Sequence, residues 1–321
     1  MDAVPLKFVD SVVELFDGRS TLDLLEQEVA HPLWKSAVDV HHRNRVCCEL
    51  YVQVTDGGIK LVFENGRDHG DLESIQKNRR FARITAIMAQ YQHNNWPSWE
   101  DVPLMGEAEA IKKLKSVASQ FEPRSCFMST NPPPDGQAIM ISSLLNKASF
   151  KSISTSYHGQ VSLDFLASQV YNSPWLTSVC LEYDWPKSVL PIVETFCLKG
   201  RPGRIVNMSM LWYTSLLFDS RFLETLFDYW RAKGNLHLFF WFSGIAVKNE
   251  GHPTLSPLFN QGQIEVDNSG KVISVFKHGT EKSIFCFDIR PSLCYLKFYT
   301  CECDISEDCR LKSCHPQHHN Y

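Results

Sequence analysis

The sequence predicts an α/β fold in which a short helical segment precedes a sheet built from repeated strand–helix units. Three observations support this prediction. Apolar residues near the N-terminus recur at three- and four-residue intervals, as they do in helices that bury one face. The middle of the chain alternates between helix-period and strand-period segments at a nearly constant interval. The stretches on either side of this region are rich in strand-forming residues.

The composition indicates a folded protein with a large core. Apolar residues make up 44% of the 321 residues and charged residues 21%. The net charge of −4 gives no general attraction to nucleic acid or to an anionic membrane. No apolar run is long enough to cross a bilayer and the first residues lack the pattern of a secretory signal. We therefore expect an intracellular protein, cytoplasmic or nuclear, with reduced cysteines.

Residues 1–45 are predicted to form two or three amphipathic helices. Their apolar residues fall into two stripes, which consist of Phe8, Val12, Leu15 and Phe16 and of Leu22, Leu25, Val29, Leu33 and Trp34. About 45 residues cannot bury much surface alone, so these helices need either a partner or the rest of the chain. The sequence leaves both alternatives open.

Residues 46–104 change to strand periodicity. Two strand-forming runs flank Asp56-Gly57-Gly58, which predicts a hairpin because glycine readily adopts the positive φ that a tight turn requires. A further strand is expected near residues 80–91, before a turn-rich stretch. The second region is therefore predicted to connect the helices to the repeats through a small β segment.

Residues 105–243 contain the predicted repeat. The expected strands start near Ser125, Phe150, Leu176, Arg204 and Asn235, at intervals of 25, 26, 28 and 31 residues, with a helix in each interval. Leucine-rich repeats have this period, and units of this kind stack into a parallel sheet with helices behind it. The leucine-rich consensus is absent, and an ordinary βαβ sheet has a similar period, so both arrangements remain open.

Residues 244–321 return to strand character and end in a cluster of cysteine and histidine. We expect a β-rich cap, with a hairpin around Asn268-Ser269-Gly270. The metal candidates, by their ligand type, are Cys301, Cys303, Cys309 and Cys314, and a histidine is an alternative fourth ligand. The competing interpretation is a strand end with small core thiols and a frayed polar terminus, and no cofactor is expected on that reading.

The N-terminal pattern Val-Pro-x-x-Phe-x-x-x-Val, followed by an apolar helix that reaches Trp34, resembles an F-box. The segments that follow, including FDSRFLETLFDYWRAKGNLHLFFW, are similar to the β/α units of nematode F-box-associated proteins. The F-box usually opens with Leu-Pro, whereas this chain has Val4-Pro5. The resemblance implies docking on the Skp-type linker of a cullin ubiquitin ligase and recognition of an unknown substrate protein.

From these patterns we expect a non-enzymatic protein-binding adaptor. The residues expected to contact the linker are Pro5, Phe8, Val12, Leu22, Leu25 and Trp34. The alternatives are an interaction protein of the same fold without ligase docking and a zinc-binding module that uses the C-terminal cluster.

Two further patterns carry weaker functional interpretations. The acidic stretch GRDHGDLE at 66–73 could hold a metal or a general base, but acidic glycine-containing turns are common in loops. The basic stretch HHRNR at 41–45 could contact nucleic acid, but such residues usually lie at a solvated helix end. No nucleotide-binding or nucleophile motif is present.

Overall fold

The computed structural model describes residues 4–18, 21–65, 68–70, 72–90, 99–129, 134–183, 185–211, 220–243, 260–266, 272–289 and 293–320. The chain is mixed α/β, as the sequence predicts, and divides into two compact units. The first unit comprises residues 1–153 and 158–176, and the second comprises residues 154–157 and 177–321. No helix within the described ranges is both long and apolar enough to cross a membrane.

Most helices and strands follow the order that the sequence predicts, and the exceptions are the short elements at Asp68–Gly70, Leu72–Lys77, Arg310–Cys314 and Pro316–His319. The helices are α1 (Leu6–Glu14), α2 (Leu22–Glu28), α3 (Pro32–Asn44), α4 (Leu72–Lys77), α5 (Glu107–Val117), α6 (Pro134–Leu144), α7 (Gln160–Asn172), α8 (Leu190–Cys197), α9 (Ser220–Lys233), α10 (Arg310–Cys314) and α11 (Pro316–His319). The strands are β1 (Val46–Thr55), β2 (Gly58–Asn65), β3 (Asp68–Gly70), β4 (Ala82–Gln90), β5 (Phe121–Ser129), β6 (Ser152–Ser156), β7 (Ser178–Glu182), β8 (Val206–Leu211), β9 (Leu238–Ser243), β10 (Gln263–Val266), β11 (Val272–Lys277), β12 (Ser283–Ile289) and β13 (Leu293–Thr300).

The first unit opens with three helices that share one apolar core. The fully or almost fully buried residues of this core are Val9, Val13, Leu22, Ala37 and Val38. They all come from the segment that precedes β1, and the half-buried apolar residues packed against them come from the same segment. The three helices therefore form their own small core, which the sequence alone could not decide.

The sheet of the first unit has the strand order β5-β4-β1-β2-β3. The predicted hairpin is confirmed: β1 and β2 pair antiparallel, with Thr55 opposite Gly58. Gly58 has a φ of +140°, and an added Cβ there would lie 2.5 Å from the Met105 carbonyl oxygen. Strand β4 pairs parallel with both β1 and β5, and α5 packs against β2. The strand predicted near residues 80–91 is thus also confirmed.

The sheet of the second unit has the strand order β10-β11-β12-β13-β9-β8-β7-β6. Strands β7, β8 and β9 are parallel neighbours, and helices α8 and α9 provide the connections between them. Strands β10 to β13 form an antiparallel meander that continues through β13 onto β9. The predicted strand–helix alternation and the β-rich cap are both present, while residues 267–271 of the predicted cap hairpin lie outside the described residues.

The boundary between the two units falls inside the predicted repeat region. Strand β6 begins in the first unit and ends in the second, and the segment 158–176 containing α7 belongs to the first. The boundaries drawn from the sequence at residues 45, 104 and 243 therefore mark changes in the type of element. Compactness divides the chain at another place, because a periodic pattern does not reveal which neighbouring units share contacts.

The C-terminal residues are ordered against the second unit rather than frayed. Leu311 on α10 is fully buried and Cys309 is 3% exposed, and both pack on β11, β12 and β13. Helix α11 contacts β12, and its His318 lies 2.8 Å from Glu265 of β10. The alternative of a frayed polar terminus is therefore wrong, because apolar contacts and the hydrogen bond between His318 and Glu265 hold the tail in place.

The loop between α1 and α2 is attached to β5 by a buried carboxyl group. The Gly18 N–H donates to Glu122 Oε1 at 3.2 Å. Burial, reinforced by a hydrogen bond with Asp17, raises the pKa of Glu122 to about 7 from an ordinary value of 4.5. Between these two pH values the native state keeps a proton that the unfolded chain releases, so stability falls as pH rises.

We predict that Glu122→Gln removes this part of the pH dependence. Glutamine keeps the hydrogen bonds of the protonated acid and cannot ionise. The free energy of unfolding of the parent chain, relative to the variant, is expected to drop by roughly 1–3 kcal/mol between pH 5 and pH 8. Urea unfolding of both proteins at both pH values measures this. Glu73→Gln, which changes an exposed carboxyl group, should leave the pH dependence unaltered. Equal pH dependence of Glu122→Gln and the parent would contradict the prediction.

Candidate docking surface and candidate metal centre

Helix α1 buries one apolar face among the N-terminal helices. Val9 and Val13 have no exposed surface, and Phe16 packs beside them. They are spaced by four and three residues, so they lie on one side of the helix. Phe8, Val12 and Leu15 each precede one of these residues by one position, so they form a second stripe on the adjacent side of the helix. The helix is thus apolar on two adjacent faces, of which only one meets α2 and α3.

A third face of α1 is polar and attaches the helix to the rest of the first unit. Asp10 Oδ1 lies 3.0 Å from His41 Nε2 and also accepts a hydrogen bond from Arg80. Glu14 Oε1 lies 2.9 Å from Arg83 Nη2. The Arg45 guanidinium donates to the carbonyl oxygens of Val13 and Glu14 at the end of the helix. These contacts fix the rotation of α1 about its axis.

The remaining face of α1 is apolar and points to solvent. Phe8 is 57% exposed and Leu15 71% exposed, and Val12 between them is half-buried. We call these three residues the exposed stripe. Single exposed apolar residues are ordinary, but a stripe at i, i+4 and i+7 is typical of a helix face that meets a partner. Leu24, which is 56% exposed, adds a further apolar residue on α2.

The six residues expected at the docking surface differ in their exposure to solvent. Pro5 and Phe8 are exposed and Val12 is half-buried on α1. Leu22 is 0% exposed, so it supports the helices from inside and offers no contact surface in this structure. Leu25 and Trp34 are half-buried and pack on the same internal core. Leu15, which the sequence placed in the apolar stripe but not among the contact residues, is 71% exposed.

The basic stretch at 41–45 is used inside the first unit. His41 is fully buried against Asp10, and His42 Nε2 lies 3.0 Å from Asp23 Oδ1. Burial lowers the pKa of His41, although the hydrogen bond with Asp10 opposes this effect. Arg45 is half-buried on α1. The interpretation as a solvated helix end is therefore wrong for His41. Its buried contact with Asp10 accounts for a histidine at this position, and no contact with nucleic acid is needed to explain it.

The acidic stretch at 66–73 lies partly outside the described residues, and its proposed metal or base cluster is not described as a whole. Its one described carboxylate side chain is Glu73, which pairs with Lys77 on α4 at 3.0 Å. Both side chains are well exposed. This contact is an ordinary i, i+4 surface pair.

A cavity of about 630 Å³ opens in the second unit beside α9 and β11. His278 lines this cavity, and both of its ring nitrogens make hydrogen bonds. Nε2 lies 2.9 Å from the Arg231 carbonyl oxygen, and Nδ1 accepts the backbone N–H groups of Thr280 and Glu281. These contacts hold the turn after β11. The contacts of His278 therefore indicate a structural role for this residue in the wall of the cavity.

Three cysteines and one histidine of the C-terminal tail converge on one point. The ligand atoms of Cys301, Cys303, Cys309 and His319 all lie within 4.8 Å of one another. His319 Nε2 is 3.4 Å from Cys301 Sγ and 3.1 Å from Cys303 Sγ. No other such cluster was found among the residues that the structure describes. We call these four residues the Cys3His cluster.

Local structure explains how distant positions reach this cluster. Cys301 follows β13 directly, and its N–H donates to the Lys282 carbonyl oxygen at 2.9 Å. Alternate residues of an extended chain point to the same side, which places Cys303 beside Cys301. A turn at residues 302–306 then returns the chain to Cys309 at the start of α10. Helix α11 ends at His319, which completes the set.

The cluster does not contain Cys314, which the sequence offered as the fourth ligand. Cys314 is exposed at the end of α10. It lies five residues after Cys309, so the helical turn directs its side chain away from that of Cys309. The alternative of a histidine at the fourth position is the one that the structure favours.

The thiols of the cluster have unequal acidity. Burial raises the pKa of Cys309, but the backbone N–H groups of Glu302 and Lys312, with the thiols of Cys303 and Cys301, lower it by more, so the net shift is downward. Desolvation and hydrogen bonds with Cys301 and Cys309 raise the pKa of Cys303 to about 11. The thiol of Cys309, at the N-terminus of α10, is therefore more acidic than that of Cys303.

Four polar contacts position the tail around the cluster. Glu302 accepts the Gly203 N–H at 2.8 Å, and its Oε1 lies 3.1 Å from Nδ1 of the buried His237. His315 Nε2 lies 3.6 Å from Cys286 Sγ. His318 contacts Glu265. The sequence reasoning missed these partners, because they join residues from 29 to 99 positions apart.

The chain matches no protein family model, no curated protein and no solved structure. The exposed stripe and the Cys3His cluster are therefore interpreted from their own geometry and chemistry.

Proposed function

We propose that this chain is a non-enzymatic protein-binding adaptor, the substrate receptor of a cullin-type ubiquitin ligase. It docks through its N-terminal helices on the Skp-type linker of that ligase. The observation that carries the proposal is the exposed stripe, which consists of Phe8 and Val12 on α1 and of Leu15 at its C-cap. Exposing this stripe costs free energy in the isolated chain, and a partner helix or groove would recover it.

The internal packing of the N-terminal helices supports this proposal. Their apolar core is complete without the exposed stripe, so the stripe is not needed for folding. The ion pairs of Asp10 and Glu14 hold α1 with its exposed stripe outward. A surface that is held rigid before binding loses less conformational entropy when a partner arrives. These features fit an F-box-like segment.

The rest of the chain supports a role in substrate recognition. In the second unit, consecutive strands β7, β8 and β9 are parallel and each is reached through a helix. We propose that this region is a divergent leucine-rich-repeat-like sheet whose partly exposed strand face binds an unknown substrate protein. The docking helices and the recognition sheet are then separate surfaces of one adaptor.

Docking is tested with the full-length chain and the purified linker from the same organism. Phe8→Asp and Leu15→Asp are each expected to weaken binding about 30-fold or more, because a charge then faces an apolar partner. Both side chains are mostly exposed, so the thermal midpoint should stay within about 2 °C. Tyr171→Asp, at a 56% exposed residue on α7, is the matched control and should bind normally. Absence of binding by the parent chain contradicts the proposal.

A second candidate function is an interaction protein of the same fold that does not dock on a ligase. The ion pairs between α1 and Arg80 and Arg83 favour it, because they also suit a helix that belongs permanently to the first unit. Deleting residues 1–45 separates the two. If the linker is lost while the substrate partner is kept, the receptor function holds.

A further inference from the structure

We propose that Cys301, Cys303, Cys309 and His319 bind one Zn²⁺ ion in a structural site. Thiolate and imidazole are the ligands that Zn²⁺ takes in four-coordinate protein sites, and three cysteines with one histidine is an established ligand set. The four donor atoms approach one another within 4.8 Å although their residues span nineteen positions of the chain. The proposal does not depend on the adaptor function.

The distances fit a tetrahedral ion. Zinc–sulfur bonds of about 2.3 Å and zinc–nitrogen bonds of about 2.0 Å place tetrahedral ligand atoms roughly 3.5–3.8 Å apart. The distances of 3.4 Å and 3.1 Å from His319 Nε2 to Cys301 Sγ and Cys303 Sγ are close to this spacing. Small movements of the side chains would bring the four atoms onto the ideal positions.

Hydrogen bonds alone do not account for this convergence. A ring nitrogen has either one proton to donate or one lone pair to share. Two thiols nevertheless approach the same Nε2 of His319 within 3.4 Å. The two contacts therefore have to share one proton or one lone pair of the ring nitrogen. A central Zn²⁺ ion satisfies all four donors at once.

The surroundings prepare the donors for a metal. The Glu302 N–H donates to Cys309 Sγ at 3.4 Å, which favours the thiolate form that metals bind. His319 Nδ1 lies 3.1 Å from Asn320 Oδ1. If Nδ1–H donates there, Nε2 carries the free lone pair that faces the thiols. Sulfur and nitrogen donors are thus oriented by second contacts, as in built metal sites.

The site is expected to stabilise the fold rather than to catalyse a reaction. Four protein ligands fill a tetrahedral zinc ion and leave no position for water or substrate. The ion would join the end of β13 to the start of α10 and the end of α11. It would thereby hold Leu311 and Cys309 against β11, β12 and β13. A disulfide between two of the cysteines would explain neither the third cysteine nor the histidine.

Metal analysis of the full-length chain tests the proposal. Protein purified under reducing conditions without added chelator is expected to contain close to one zinc per chain. Cys303→Ser changes an exposed ligand, and its zinc content should fall at least fivefold after dialysis. Cys314→Ser changes an exposed thiol of the same tail outside the cluster and should keep its zinc. Zinc content below one fifth per chain in the parent, or equal content in both variants, overturns the proposal.

Cobalt provides a readout of geometry. Zinc-depleted parent protein titrated with Co²⁺ should develop the intense visible bands of tetrahedral thiolate coordination, saturating at one ion per chain. Cys303→Ser should weaken these bands, and Cys314→Ser should keep them. A weak octahedral spectrum overturns the proposal. Mass spectrometry provides a second readout. A disulfide among Cys301, Cys303 and Cys309 that forms equally fast with and without Zn²⁺ also overturns the proposal.

Discussion

Replacing Val13 with aspartate is expected to unfold the N-terminal helices. Val13 is fully buried between α1, α2 and α3. A carboxylate there loses its hydration without gaining a partner, and the apolar contacts of the valine are lost as well. We expect a cost of about 4 kcal/mol or more, concentrated in residues 4–44. Hydrogen exchange resolved by residue measures this loss of protection.

Val12→Asp is the matched control, because it makes the same change one residue earlier in the same helix. Val12 is half-buried in the exposed stripe and does not belong to the internal core. An aspartate there can remain hydrated, so the helices should keep their protection and the unfolding energy should change by less than about 1 kcal/mol. Binding of the Skp-type linker should nevertheless fall. The pair of variants therefore distinguishes folding from docking.

The two variants are expected to give opposite results, and each expectation can be contradicted by its own measurement. Strand β1 and strand β5 should remain protected in Val13→Asp, since the core of the three helices contains only residues of the helical segment. Simultaneous loss of protection in β1 would show that the helices and the sheet unfold as one unit. Equal destabilisation by Val12→Asp would show that the exposed stripe is covered in solution.

The N-terminal helices show what periodicity can and cannot decide. Residues Phe8, Val12 and Leu15 recur at helical spacing, and so do Val9, Val13 and Phe16. The spacing therefore predicts the helix correctly but not which apolar face meets the chain. That choice is made by distant partners, because Arg80 and Arg83 attract Asp10 and Glu14 on the third face. No local pattern contains this information.

In the rest of the chain, too, local patterns predicted the elements but not the long-range contacts. The strands β5 to β9 were predictable, because strand-forming and helix-forming segments alternate there at intervals of 25 to 31 residues. The antiparallel pairing of β13 with β9 was not, because it joins residues far apart in sequence. For the metal candidates, the ligand types favoured Cys301, Cys303 and Cys309. The fourth ligand depends on the chain direction after α10, where His315 leaves the helical conformation.

Removing Zn²⁺ from the Cys3His cluster is expected to release the C-terminal tail. A ligand present at about 1,000 times its dissociation constant stabilises the native state by about 4 kcal/mol. Loss of that binding should lower the thermal midpoint by roughly 10 °C in protein treated with a chelator. Trypsin should then cleave after Arg310 and Lys312, which lie on α10, faster than in the zinc-loaded protein. Restoring Zn²⁺ should reverse both effects, and unchanged cleavage would contradict the prediction.

Two adjacent histidines provide the sharpest control for this effect. His319→Gln removes the nitrogen ligand of the cluster, so the zinc affinity should fall at least about 100-fold in competition with a chromogenic chelator. His318→Gln removes the contact with Glu265 but leaves all four ligands in place, so the affinity should change little. The His318 variant should lose some thermal stability with its zinc still bound. Only His319 faces the thiols, so the two variants should differ in zinc affinity. Equal loss of zinc by both variants would show that the contact between the tail and β10, rather than ligation by His319, retains the ion.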